Sequence, residues 1–111
     1  MSIQRWSQAV ILVDLPEELE KHNELETVIA MLRDEGACDV VVDLSHVQVV
    51  GGAWLARLRT IQRLLNGCGH KLILCSVPPA IKGVFIIARL DHLFEFAEDR
   101  FTALASPQLV G

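Results

Sequence analysis

The sequence predicts an α/β fold built on a largely parallel sheet. Three runs, AVILVDL (9–15), ACDVVVDL (37–44) and KLILCSV (71–77), are apolar and rich in β-branched residues. Runs of that kind suit strands covered on both faces. The segments between them carry apolar residues at helical spacing, and strands alternating with helices make a parallel sheet. At 111 residues the chain, 1–111, is one domain, long enough to bury roughly two-thirds of its unfolded surface.

The elements follow in order. Asp14 and Pro16 end the first run, since proline cannot continue a ladder. Asn23, with Glu26 three places on, has the spacing of a helix cap. Leu25, Val28, Ile29 and Leu32 then recur on one helical face, and Gly36 stops it. The second run ends at Asp43, and a loosely alternating passage leads to Val50. From Ala53 the spacing is helical again, with Leu55, Leu58, Ile61, Leu64 and Leu65 facing one way until Asn66-Gly67. After the third run, Pro78-Pro79 opens a helix through AIKGVFIIARL, at the position where proline is tolerated. LFEFA offers a short strand and EDRFTALA a last helical turn.

Composition excludes several function classes. Ten basic against fourteen acidic residues give a net charge of −4, with no basic run to attract nucleic acid or an anionic membrane. The longest apolar stretch, about IKGVFIIARL, is too short to cross a bilayer, so direct membrane insertion is not expected. MSIQRWSQ lacks the pattern of an export signal, and the expected location is cytoplasmic. Cys38, Cys68 and Cys75 have neither disulfide nor zinc spacing and read as small apolar fillers. The four histidines share no ligand spacing, and neither a metal nor another cofactor is expected.

The informative stretch is VVGGAWLARL (49–58), a strand-to-helix passage whose hinge carries no side-chain oxygen. Around it stand Asp43-Leu44-Ser45, Val47, the glycine-led strand from Gly69, Pro79-Ala80, and Leu90-Asp91-His92-Leu93-Phe94. Taken together, these features resemble the STAS domain of anti-sigma-factor antagonists, over about residues 9 to 105. The resemblance implies a mixed, mostly parallel sheet of four to five strands, with about four helices packed mainly on one face. It also implies a non-catalytic protein-interaction module of bacterial signalling, not an enzyme.

In the resembled family a hydrophobic residue and Asp precede two hydroxyl residues at this turn, and a kinase phosphorylates the second. Here Gly51 replaces the aspartate, Gly52 and Ala53 replace the hydroxyl residues, and Trp54 replaces a small one. A phosphate at a helix N-terminus adds about −1.5 to −2 charge. Alanine has no oxygen to accept it, so Ala53 at the usual acceptor position rules out that control. Ser45 is the nearest hydroxyl and reads as a turn residue.

The expected docking surface comprises His46, Val50, Gly51, Gly52, Ala53, Trp54 and Arg57. Glycines admit positive φ and close approach of a partner backbone. Trp54 has two readings of equal weight, a binding anchor or a cover for the apolar core. The resemblance implies an anti-sigma factor or a serine kinase of the GHKL type as partner, or other STAS domains. Self-association through the turn, giving a homodimer, is a further alternative. Rival functions are a subunit docking on the ATPase of an ABC-type lipid-transport complex, and a module sensing a nucleotide or anion at the helix N-terminus. Asp14 and Asp43 end strands and form either an acid/base pair or, as favoured, local caps.

Overall fold

The computed structural model describes residues 3–7, 10–15, 24–36, 38–48 and 50–105. The elements are β1 (Ile3–Ser7), β2 (Val10–Asp14), α1 (Glu24–Glu35), β3 (Asp39–Asp43), α2 (Gly52–Asn66), β4 (Leu72–Cys75), α3 (Pro79–Ile87), β5 (Glu95–Ala97) and α4 (Arg100–Leu104). The proposed Asn23 cap, Pro16 and the first residue of the run 9–15 lie outside the described residues.

The five strands stand in the order β1-β2-β3-β4-β5. Strands β2 to β5 are parallel and in register, with Val13 beside Val42 and Val42 beside Leu74. Because each of the three crossovers steps the same way along the sheet, right-handed connection puts α1, α2 and α3 on one face. Among the described residues, α4 alone packs on the other, against β3, β4 and β5.

Side-chain alternation divides the interior accordingly. Ile11, Val13, Val40, Val42, Leu72 and Leu74 point into the main core with Leu25, Val28, Leu32, Leu58, Ile61, Leu65, Ile81 and Phe85 from the helices. Val10, Leu12, Val41, Ile73 and Cys75 form a smaller layer with Ala103 of α4. All four residues from Val10 to Val13 and all of β3 are buried, which explains continuous apolar runs in place of alternation.

Strand β1 is a finding the composition did not announce. Ile3 to Ser7 pairs antiparallel with β2, with an irregularity between Arg5 and Ser7. IQRWS has little apolar alternation, because an edge strand contributes one side chain, Ile3, to the core. Helix α1 has Glu24 and Glu26 in its first turn and Arg33 in its last, matching the helix dipole. Gly36 follows at φ +94, the left-handed position a helix stop favours.

Candidate functional site

Helix α2 begins with an unusually bare end. Gly51 is the N-cap in extended conformation, φ −121 and ψ 173, with no side-chain capping bond, and the first turn holds no acidic residue. The first helical bond runs from the Leu55 N–H to the Gly51 carbonyl at 3.1 Å. The amides of Gly52, Ala53 and Trp54 therefore have no acceptor within the helix. Gly51, Gly52 and Ala53 are exposed, while Val50 is half-buried and packs against the core.

The expectation of positive φ at the two glycines is corrected. Gly51 is extended, Gly52 is helical, and neither is among the positive-φ glycines. A Cβ added at either one meets nothing within 4 Å. The backbone here accepts any residue, so the missing serine and aspartate are absent for no reason of space.

The structure chooses the core-covering reading of Trp54 over the anchor. The residue is 5% exposed, and its ring meets Phe85 edge-on, with centroids 6.0 Å apart. Phe85 in turn makes edge contacts with Phe94 and Phe96, both at 5.6 Å. The physical reason is spacing: positions 54, 58, 61 and 65 lie along one stripe of α2, and all are buried. Of the expected stripe, Leu58, Ile61 and Leu65 are buried, whereas Leu55 and Leu64 are only half-buried and Trp54 and Gln62 take the remaining buried places. The indole Nε1 is buried with no hydrogen-bond partner among the described residues. Trp54 is thus the floor beneath the exposed turn and not part of its surface.

The remaining expected residues divide. His46 is exposed, in a turn closed by the Val47 N–H on the Leu44 carbonyl at 3.0 Å. Arg57 is half-exposed and already engaged, its guanidinium lying 2.8 Å from Glu26 of α1. Ser45 is exposed, and its N–H donates to Asp43 Oδ1 at 2.8 Å, the local cap expected of a strand-end aspartate. Of the expected docking residues, His46, Gly51, Gly52 and Ala53 are exposed, Val50 and Arg57 are half-buried, and Trp54 is enclosed.

Arg100 is the residue that sequence reasoning missed. Its Nε donates to Asp43 Oδ2 and its NH2 group to Asp14 Oδ2, each at 2.8 Å. One guanidinium ties α4 to the ends of β2 and β3, across 86 and 57 residues of sequence. Burial alone would raise the Asp43 carboxyl, but the bonds from Ser45 and the Arg100 ion pair outweigh it and hold the acid below its ordinary value. An ionised Asp43 locked to arginine is no general base, so the acid/base pair gives way to a structural clamp. Burial, with Asp43 nearby, pushes the Cys75 thiol up to about 12, leaving it protonated and inert. Gln62 was also missed. It is buried in α2 because its amide donates to the Leu93 carbonyl and accepts from Arg59.

Among the described residues, no group of three or more His, Cys, Asp or Glu could hold a metal ion. None of the helices there is long and apolar enough to cross a membrane.

This arrangement of strands and helices is also found in known proteins. The STAS domain model matches residues 5–103. The chain belongs to the STAS domain family. A relative from Bordetella bronchiseptica, named as a candidate anti-sigma factor antagonist (BtrV), is 29% identical over 83 residues, covering 75% of this chain and 72% of that one. In fold, this STAS domain is similar to an anti-sigma-factor antagonist (STAS) domain protein from Planctomyces limnophilus, with TM-score 0.77, 19% identity and 92% of each chain covered. It is equally similar to the crystal structure of a candidate anti-sigma factor antagonist from Thermotoga maritima, with TM-score 0.77, 16% identity, and 90% and 88% covered. The five-stranded mixed sheet, parallel but for the β1–β2 pair, agrees with the fold expected from the resemblance.

Proposed function

We propose that this STAS domain is an anti-sigma-factor-antagonist-like docking module that presents the α2 N-terminus to a protein partner without phosphorylation control at position 53. The observation that carries the reading is the exposed, oxygen-free turn Gly51-Gly52-Ala53 over the buried Trp54. The first amides of this helix end have no acceptor within the helix and no acid in the first turn to neutralise them, a surface suited to an acceptor-bearing partner. The floor is packed, with Trp54 against Phe85 and within the buried stripe of α2.

The partner class that the family resemblance supports is an anti-sigma factor, a GHKL-type serine kinase, or another STAS domain. Docking at residues 50–53 and His46 fits a non-catalytic role, and no step of bond chemistry is needed. Without an acceptor at position 53, binding is set by partner availability or by modification of the partner.

The test measures affinity for the cognate anti-sigma factor by calorimetry, comparing wild type with Ala53→Asp. Aspartate at the first turn suits the helix dipole and leaves folding intact, but it places a carboxylate on the docking surface. The expected result is a loss of about tenfold or more in affinity, by analogy with like-charge placement at interfaces. Equal affinity, or phosphate incorporated between residues 45 and 53 of wild type by the kinase with ATP, overturns the reading.

A further inference from the structure

Helix α3 is apolar on both sides. Of its nine residues, PAIKGVFII, Lys82 alone is charged. Ile81 and Phe85 fill the core at 3% and 0% exposure. The opposite side carries Pro79, Ala80, Gly83, Ile86 and Ile87 at helical spacing, and Ile86 and Ile87 are 54% and 85% exposed. A surface helix ordinarily places polar residues there. Small residues occupy the N-terminal half of this outer face and large ones the C-terminal half.

Gly83 sharpens the observation. Glycine is a poor residue for the middle of a helix, and a Cβ at this position meets nothing within 4 Å. Packing within the chain does not call for its absence.

Residues of opposite charge flank the two ends of α3. Arg89, just past the C-terminus, is exposed and sits at φ 60, where glycine is usual. At the other end the Glu98 carbonyl accepts from the Ser76 N–H at 3.1 Å, two residues before the Pro78 cap. Glu98 is exposed, and neither it nor Arg89 makes an ion pair with another described residue.

From these observations we infer that the outer face of α3 is a self-association surface, on which a second copy packs α3 antiparallel to α3 with Gly83 at the two-fold axis. In that register Ile86 of one copy stands opposite Ala80 of the other, and Ile87 opposite Pro79. Large side chains meet small ones, and Arg89 falls opposite Val77, beside the turn that carries Glu98. Such an interface is isologous and closes as a dimer. Antiparallel helix dipoles add to the fit. The apolar face is on the order of a few hundred Å², below the roughly 800 Å² per partner of a standard interface. The dimer is therefore weak and concentration-dependent. It uses a helix other than the α2 docking end, so the two proposals stand separately.

Sedimentation equilibrium of the full chain, from about 10 μM to about 1 mM, spans the affinities expected of so small an interface. Wild type shows reversible dimerisation. Ile87→Glu and Gly83→Leu each raise the dissociation constant by about tenfold or more, with circular dichroism and melting unchanged or improved. Arg89→Glu and Glu98→Arg each weaken the dimer, and the double variant restores it. A chain that stays monomeric across the range, or a dimer indifferent to Ile87→Glu and Gly83→Leu, overturns the proposal. A double variant no stronger than the singles overturns its antiparallel arrangement.

Discussion

The indole of Trp54 meets the ring of Phe85 edge-on, with an interplanar angle of 72°, and so joins the first turn of α2 to the buried face of α3. This contact holds the docking turn in place from beneath. Losing it removes both buried aromatic area and an edge-to-face pair.

Trp54→Ala is therefore expected to cost about 3–5 kcal/mol of stability, while Trp54→Phe costs about 1 kcal/mol or less, because it keeps the edge contact and deletes an unpaired N–H. Urea unfolding distinguishes these outcomes. A Trp54→Ala protein as stable as wild type would contradict the burial.

The Arg100 clamp sets a pH dependence. Asp43 is held below its ordinary value in the folded chain, so it binds fewer protons folded than unfolded. Its stabilising contribution is fully present above about pH 4 and lost as pH falls through the folded value. Thermal melts should show stability dropping with acid below pH 4, and Asp43→Asn should flatten that slope.

Removing the cation instead leaves a buried carboxylate without its partner. Arg100→Ala is expected to cost roughly 2 kcal/mol, less than for a fully buried pair because its side chain keeps 29% exposure. Arg100→Lys recovers only part of this, since an ammonium cannot reach both Asp14 and Asp43 in one forked geometry. Denaturant midpoints provide the measurement.

Thiol chemistry should separate the three cysteines. Cys68 is exposed, whereas Cys38 and Cys75 are buried, and Cys75 is further protected by a pKa near 12. Native protein treated with a maleimide at neutral pH is expected to lose Cys68 rapidly, and the other two only after denaturation. Peptide mass mapping identifies the order, and early modification of Cys75 would mean that α4 does not cover it.

Arg89 closes α3 in a left-handed conformation. Its N–H bonds the Ile86 carbonyl at 3.0 Å, and the Leu90 N–H bonds the Phe85 carbonyl at 2.8 Å, the paired bonds that glycine ordinarily accommodates at a helix end. Arg89→Gly should raise stability by about 0.5–1 kcal/mol, read from the melting temperature of dilute protein. No gain would show that the arginine stem compensates for the strain within the monomer.

Residue pattern alone determined a good deal. The runs 9–15, 37–44 and 71–77 name three strands, because a sheet covered on both faces demands apolar chain, and β2, β3 and β4 fall within them. Position 53 lacks an acceptor oxygen whatever the fold, so phosphorylation there is excluded by side-chain chemistry alone. The resemblance, resting on scattered strand and helix ends, carried the expected sheet of four to five strands and the helices on one face.

Tertiary structure decided the rest. Strand β1 takes its identity from pairing with β2, and its own side chains barely signal it. Trp54 went inward because the buried stripe of α2 passes through 54, 58, 61 and 65, a phase set by the sheet and α3 against which it packs. Arg100 acquired its role by meeting Asp14 and Asp43 in space, and Ile87 was left uncovered because the core lies on the other side of α3. Periodicity reports which residues share a side of an element. Which side is enclosed depends on neighbours far along the chain.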